Sequence, residues 1–302
     1  MNSPPPEHRP VLVEQVVTLL APQPGEVILD GTIGLGGHAL ALLPLIMPGG
    51  RYIGLDRDET MLAAARARIA SQFPSGVDLV QGNFAELPRW LAELGVRQVD
   101  RMLLDLGVNS AQLDDPLRGF SFEQDGPLDM RFDRNQARKA VDLVNGLSES
   151  ELADLFYFNA QEGLSRKIAR RICQVRHGGR ISSTLALARV VESVYGALEA
   201  GGKTHAATRV FQALRIAVNA ELDSLREFLR VALDYLRPGG RLAIISFHSL
   251  EDGLVKEAFR AGRAAGRLIE VTRRPVIADP AERGANPRSR SAKMRVAERT
   301  DS

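Results

Sequence analysis

Short apolar runs alternate with helix-like segments through the first hundred residues. The run Val27-Ile28-Leu29 leads into a glycine-rich stretch, Asp30-Gly31-Thr32-Ile33-Gly34-Leu35-Gly36-Gly37-His38, and then into the apolar-periodic Ala39-Leu40-Ala41-Leu42-Leu43. This order predicts a buried strand, a turn and the start of a helix. Further strands are predicted over Arg51–Asp56, Val77–Val80 and Val99–Leu106, with a helix over Thr60–Ile69. Apolar strands alternating with helices predict an α/β fold: a doubly wound, mostly parallel sheet covered on both faces.

From about Leu113 to Gly202 the pattern predicts only helices. The capping box Ser148-x-x-Glu151 opens one that runs through Phe158. Ser165 caps a second over Arg166–Arg176, and Ser183 or Thr184 starts a third through Tyr195. Beyond them, Phe211, Leu214, Val218, Leu222, Leu225 and Leu229 recur at helical spacing, predicting one long amphipathic helix over Thr208–Leu236 that Pro238-Gly239-Gly240 ends. Leu242–Phe247 then predicts a fifth strand and Leu250–Phe259 a helix, and Leu268–Val276 with Ala292–Ala297 predicts a closing antiparallel pair. Because strands resume, the helices form an inserted all-helical domain. The expected division is 1–112 and 204–302 for the sheet domain, with 113–203 as the insertion.

Composition narrows the choices. A chain of 302 residues can bury a large core. A net charge of +2 draws nucleic acid weakly, so any such contact depends on local patches. Lys occurs only at 139, 167, 203, 256 and 293, so the 39 basic residues are mostly Arg, the side chain suited to bidentate phosphate contacts. Cys173 is the only cysteine, which excludes an intramolecular disulfide and a multi-cysteine zinc site and fits a reducing compartment. MNSPPPEHRP lacks a signal-peptide pattern and no apolar run reaches membrane length, so a cytoplasmic protein with no membrane partner and no metal is expected.

Glycine lets backbone approach a bound molecule, and N–H groups at a helix start favour anions. Gly34-x-Gly36-x-x-Ala39 matches the dinucleotide fingerprint, and Asp56 stands at the position of a ribose-binding acid. An NAD-dependent dehydrogenase is therefore one reading. Three details favour S-adenosyl-L-methionine. Asp30, at the tip of the first strand, suits an ammonium and repels a pyrophosphate. Asn83-Phe84, at the end of the third strand, offers an amide and an aromatic edge for adenine. Asp105, at the end of the fourth strand, borders the same crevice, where open α/β sheets bind ligands. Each charge-assisted hydrogen bond there contributes roughly 1.5–3 kcal/mol.

An ordered set of segments adds a resemblance. It begins with His8-Arg9-Pro10-Val11-Leu12, the glycine turn, Asp56-Arg57-Asp58, Asp105-Leu106-Gly107-Val108 and Gln112-Leu113-Asp114. Arg118-Gly119-Phe120-Ser121-Phe122, Pro127-Leu128-Asp129-Met130-Arg131 and Ala207–Ile216 follow. Gly239-Gly240-Arg241-Leu242, Ile245–Asp252 and Asn286–Lys293 close the set. Across nearly its whole length the chain resembles the bacterial ribosomal RNA small-subunit methyltransferase H family (RsmH, also called MraW), which methylates cytosine N4. It departs from that pattern at Ile33, at Asn109 and over Asn159-Ala160-Gln161-Glu162.

The resemblance implies a class I (Rossmann-like) S-adenosyl-L-methionine-dependent methyltransferase. It implies cofactor contacts at Gly36, Gly37, His38, Asp56, Phe84, Asp105 and Gln112, with Asp56 on the ribose and Phe84 near the adenine. The implied substrate is one cytidine in the decoding region of 16S rRNA in the small ribosomal subunit. DNA is not an expected partner, and the protein is expected to be a monomer or homodimer.

Transfer to an exocyclic amine needs acceptors for the amine protons. Asp105, the carbonyls near Leu106-Gly107 and the Asn109 side chain are the candidates, and His248 is a possible acid/base group. A base must leave its stack to reach the crevice, with Phe120, Phe122 and Phe247 available for stacking. Arg118 and Arg209 are the candidate phosphate contacts. Arg166, Lys167, Arg170 and Arg171 form a basic helical strip, and the region from Arg273 to Arg295 is also basic. A non-catalytic RNA-binding ribosome-assembly factor is the remaining alternative.

Overall fold

The computed structural model describes residues 10–196 and 205–301. The expected division at 203/204 and the His8-Arg9 part of the first motif lie outside the described residues. Among the described residues, seven strands form one sheet: β1 (Val27–Asp30), β2 (Arg51–Asp56), β3 (Val77–Gln81), β4 (Val99–Asp105), β5 (Leu236–Ser246), β6 (Leu268–Glu270) and β7 (Lys293–Arg299). Their order is β3-β2-β1-β4-β5-β7-β6. The pairs among β1–β5 are parallel, and β7 runs antiparallel to both β5 and β6. The doubly wound, mostly parallel sheet is therefore present. Its strand order reverses beside β1, which creates a crevice at the carboxyl ends of β1 and β4.

Four helices accompany the first strands: α1 (Val13–Leu20), α2 (Gly37–Ile46), α3 (Glu59–Ala70) and α4 (Leu87–Glu93). The helical segment contains α5 (Ser110–Asp114), α6 (Ala140–Gly146), α7 (Glu149–Ala160), α8 (Ser165–His177), α9 (Thr184–Tyr195) and α10 (Ala207–Asn219). Then come α11 (Glu221–Tyr235), α12 (Ser249–Ala264) and α13 (Pro280–Ala285). Asp58 caps α3 by accepting from the Thr60 N–H at 3.0 Å. The Ser148–Glu151 capping box opens α7 as the sequence pattern predicts. Ser165 is not a cap: it is a buried residue within α8, and the Glu162 carboxylate accepts the preceding Leu164 N–H at 2.8 Å.

The chain forms two compact units, one of Met1–Gly107 with Asp223–Ser302 and one of Val108–Leu222. In the first, one core joins Leu20, Ile28, Leu42, Ile69 and Met294, and another joins Leu29, Ile53, Trp90, Phe228 and Phe259. Burial on both sides accounts for the continuous apolar runs of β1 and β4. In the second unit, Val210, Phe211 and Leu214 of α10 share a core with Leu152, Phe156, Ile168 and Leu187. Residues 108–112 and α10, grouped with the sheet by sequence pattern, thus fold with the helices.

The single helix predicted over Thr208–Leu236 is two. Ala220 takes φ 49°, and the buried Asn219 beside it fixes the break. Its amide donates to Met130 O at 2.7 Å and Arg215 O at 2.9 Å, and its Oδ1 accepts from the Phe132 N–H at 2.8 Å. The fifth strand starts earlier than predicted. Leu236 pairs with Val99 and Arg241 with Arg101, so Arg237-Pro238-Gly239-Gly240 form an irregularity within β5.

Candidate functional site

The glycine turn is packed from below by the sheet. A Cβ on Gly31 would lie 2.4 Å from Leu104 Cδ2 and 3.0 Å from Phe84 Cβ. Gly36 adopts φ +77°, and Ile69 lies 3.2 Å from where its Cβ would be. Thr32 ties the turn to the next strand, since its Oγ1 accepts from the Asp105 N–H at 2.6 Å.

Asp30 does not project from the strand tip as its position suggested. It is buried, with Oδ1 accepting from the Thr32 N–H at 3.1 Å and Oδ2 from the Tyr52 hydroxyl at 2.8 Å. Burial raises its pKa to about 6 against the opposing pull of those hydrogen bonds. Its role is to brace the turn and to add negative potential from beneath.

Asp56, at the end of β2, accepts from the Gly34 N–H at 2.8 Å through Oδ2 and from the Asp58 N–H at 2.9 Å through Oδ1. Desolvation raises its pKa to about 7, and the Asp58 and Asp30 charges push in the same direction. Each carboxylate oxygen has a second lone pair, so the two N–H bonds orient the group without exhausting it. Phe84 begins a short 3-10 turn and meets Phe228 edge-on, with centroids 5.7 Å apart. The Asn83 amide is already committed: Oδ1 accepts from the Ala85 N–H at 3.0 Å, and Nδ2 donates to Ser224 Oγ at 2.9 Å. Phe84 stands at the end of β3 with its ring against Phe228, and the Asn83 amide is engaged in holding the turn.

Asp105 ends β4 and is the least satisfied group of the set. Its Oδ1 is a buried atom with no hydrogen-bond partner among the described residues. Its Oδ2 stands 3.7 Å from Nδ1 of His38. Burial, then the charges of Asp30 and Glu251, hold its pKa well above the usual carboxylate range. His38 is buried near the start of α2, and its Nε2 donates to the Val11 carbonyl at 2.9 Å.

His248, expected as a possible acid/base group, is the N-cap of α12. Its Nδ1 accepts from the Glu251 N–H at 3.4 Å, and its Nε2 lies 3.2 Å from Glu251 Oε1. Glu251 Oε2 accepts from the Phe247 N–H at 2.8 Å. Sequence reasoning missed Glu251 as the residue that holds the turn after β5. The available signal was its spacing from His248, which is that of a capping box. Phe247 packs beside Gly107, whose φ of +99° carries the chain away from β4.

Gly36, Gly37, His38, Asp56, Phe84, Asp105 and His248 therefore belong to one unit, at the carboxyl-end side of its strands. Asn109, Gln112, Arg118 and Arg209 belong to the other. There, Asn109 caps α5 by accepting from the Ala111 N–H at 3.0 Å, and Gln112 Oε1 accepts from the Asn109 N–H at 2.9 Å. Arg118 does not stand on a face that phosphate reaches. It is buried, and its guanidinium donates to Arg131 O at 2.8 Å and Phe132 O at 3.3 Å. Arg209 is exposed on α10. Phe120 stacks on Phe132, and Phe122 packs against His205 and Phe211, so both rings serve the unit's interior. Among the described residues no His, Cys, Asp and Glu cluster could hold a metal, and no helix is long and apolar enough to cross a membrane.

The chain matches the model of the MraW methylase family over residues 6–300. It is 48% identical to Ribosomal RNA small subunit methyltransferase H of Syntrophotalea carbinolica, over 97% of this chain and 98% of that protein. The protein of the same name from Sorangium cellulosum is also 48% identical, over 99% of this chain and 95% of its own length. That from Methylobacterium nodulans is 47% identical, over 98% and 91%.

Proposed function

The chain belongs to the MraW methylase family, and on that premise we propose that it methylates small-subunit ribosomal RNA with S-adenosyl-L-methionine as donor. The finer reading is that the acceptor is the N4 amine of one cytidine in the decoding region of 16S rRNA. The observation that carries it is the buried, unpartnered Asp105 Oδ1 at the end of β4, an acceptor that an N–H or cationic group would satisfy.

The residues present fit the donor. Gly37 offers its N–H at the start of α2 for its carboxylate, while Gly36, whose N–H donates to Ile33 O at 2.8 Å, shapes the turn beside it. Asp56 accepts the ribose hydroxyls on the lone pairs that Gly34 and Asp58 leave, and Phe84 packs near the adenine. When bound, S-adenosyl-L-methionine supplies a methyl carbon made electrophilic by its sulfonium.

The chain's own work is to make a poor nucleophile react. The lone pair of the cytosine amine is conjugated into the ring. An acceptor on an amine proton helps the nitrogen to pyramidalise and frees that lone pair. Asp105 Oδ1 accepts one amine proton and removes it as the new bond forms, and carbonyls near Leu106-Gly107 hold the other. His248 keeps the turn that carries Phe247 in place for the base.

The test is transfer of labelled methyl from S-adenosyl-L-methionine to undermethylated small subunits, followed by nucleoside analysis. Label in N4-methylcytidine at one site is expected. Label in another nucleoside overturns the N4 reading, and binding of subunits without any label supports a non-catalytic assembly factor instead. Asp105→Ala should abolish transfer, and near-wild-type transfer by that variant removes its assigned role.

A further inference from the structure

Helix α7 ends in two aromatic side chains that the core does not use. Tyr157 and Phe158 are 55% and 65% exposed. Their rings meet edge-on, with centroids 5.3 Å apart. Leu152, Ala153 and Phe156 supply the buried face of the helix, so neither exposed ring is needed for packing. Adjacent large apolar groups left in water mark a contact surface more often than isolated ones do.

The chain reverses over 161–164, and α8 begins with two exposed cations, Arg166 and Lys167. The opposite face of α8 is buried through Ile168, Ala169, Ile172 and Cys173. The cations further along this helix are engaged within the unit. Arg170 lies 3.3 Å from Glu149, Arg171 donates to Ser193 Oγ at 3.3 Å, and Arg176 donates to Val144 O at 2.8 Å. Arg166 and Lys167 have no ion-pair or hydrogen-bond partner among the described residues. The acids of α7, Glu149, Glu151 and Asp154, lie in its earlier turns, and Glu162 in the reversal is buried and bound to the Leu164 N–H. The corner where α7 gives way to α8 thus joins two exposed aromatic rings to two uncompensated positive charges.

We propose that this corner docks an unpaired stretch of ribosomal RNA, with bases stacked on Tyr157 and Phe158 and phosphates held by Arg166 and Lys167. The proposal rests on the rRNA-methyltransferase reading above and adds a binding site remote in sequence from the chemistry. Every base has a π-face, so an aromatic pair takes unpaired RNA of any sequence, while paired RNA keeps its bases stacked inside the helix. The partner must also neutralise two cations, which the phosphates that accompany stacked bases do directly.

Two variants test it: Tyr157→Ala with Phe158→Ala, and Arg166→Glu with Lys167→Glu. All four side chains are exposed, so thermal melting should match wild type. Binding is read by fluorescence anisotropy on a 16S rRNA fragment across a salt series, and turnover on undermethylated small subunits. Loss of the rings should weaken binding about tenfold with the salt slope unchanged. Reversal of the charges should flatten the slope by at least about 1.4, at roughly 0.7 per lost phosphate contact. In both variants KM for subunits rises while kcat holds. Wild-type binding and KM in both variants overturn the docking site while leaving the methyltransferase reading intact. A rise in KM for assembled subunits with unchanged affinity for the RNA fragment also overturns it, and assigns the corner to a protein partner. Wild-type protein that binds the fragment through this corner yet transfers no methyl supports the site and overturns the functional reading alone.

Discussion

Nδ1 of His38 faces Oδ2 of Asp105 at 3.7 Å, and the Val11 carbonyl holds the ring from behind through Nε2. Because Nε2 donates to that carbonyl, neutral His38 turns a lone pair toward the carboxylate. A proton on either facing atom relieves the repulsion between that lone pair and the carboxylate. Burial and the neighbouring Asp30 and Glu251 charges already favour the protonated acid. Proton acceptance at Oδ1 requires the ionised form. Methyl transfer should therefore rise with pH through a titration well above the ordinary carboxylate range, as read from kcat between pH 5 and 9. His38→Ala releases the carboxylate from its orientation and should lower kcat about ten- to a hundredfold. A flat profile together with an unaffected His38→Ala variant would show that Asp105 does not act as the acceptor.

Asp30 has a stability signature of its own. Its pKa is raised from 3.8 to about 6, so the folded protein holds this proton more tightly than the unfolded chain does. The contribution is fully present below about pH 4 and is lost as pH rises through about 6. It amounts to about 3 kcal/mol. Asp30→Asn keeps an acceptor for the Thr32 N–H and cannot ionise. Its stability relative to wild type should improve by about that amount between pH 4 and pH 7, followed in urea by the fluorescence of Trp90, the only tryptophan. Parallel pH dependence in the two proteins would contradict the burial argument.

Gly31→Ala tests the packed glycine turn. The new methyl would meet Leu104 at 2.4 Å and Phe84 at 3.0 Å, so one of them must move. The expected loss is about 1–3 kcal/mol of stability. Displacement of Phe84 should also weaken binding of S-adenosyl-L-methionine, measured by calorimetry. A variant with wild-type stability and affinity would mean that the turn is looser than its contacts suggest.

Arg118 and Arg209 should separate cleanly. Arg118→Ala strips hydrogen bonds from the Arg131 and Phe132 carbonyls and should cost about 1–3 kcal/mol in unfolding, leaving the salt dependence of RNA binding unchanged. Arg209→Glu, on the exposed face of α10, should leave melting unchanged and reduce the salt slope by about 0.7 if this side chain meets one phosphate. The opposite pattern would reverse both assignments.

Strand positions and the acids at their ends were readable because both depend on short-range patterns: apolar runs, glycine turns and carboxylates at strand tips. Asp56, Asp105 and Phe84 lie where those patterns put them. The misplaced features depend on partners far away in the chain. Asn219 breaks the helix between α10 and α11 through bonds to Met130 and Phe132, and nothing in the local periodicity signals that. Arg118 has the composition of a phosphate ligand, but its carbonyl partners arise from a loop that wraps around it. Asp30 points inward because Tyr52, on the neighbouring strand, offers it a hydroxyl. His248 was legible as a polar residue at a strand end, whereas its capping geometry depended on recognising Glu251 as the other half of the box.

Strand β7 lies between β5 and β6, although it follows both in the chain. During synthesis, β6 has no ladder partner until residues 293–299 emerge, and the apolar edge of β5 waits uncovered for as long. The helical unit, continuous in sequence from Val108 to Leu222, faces no such delay. A ribosome making this protein thus releases the helical part able to fold early, while the sheet cannot close until β7 has emerged.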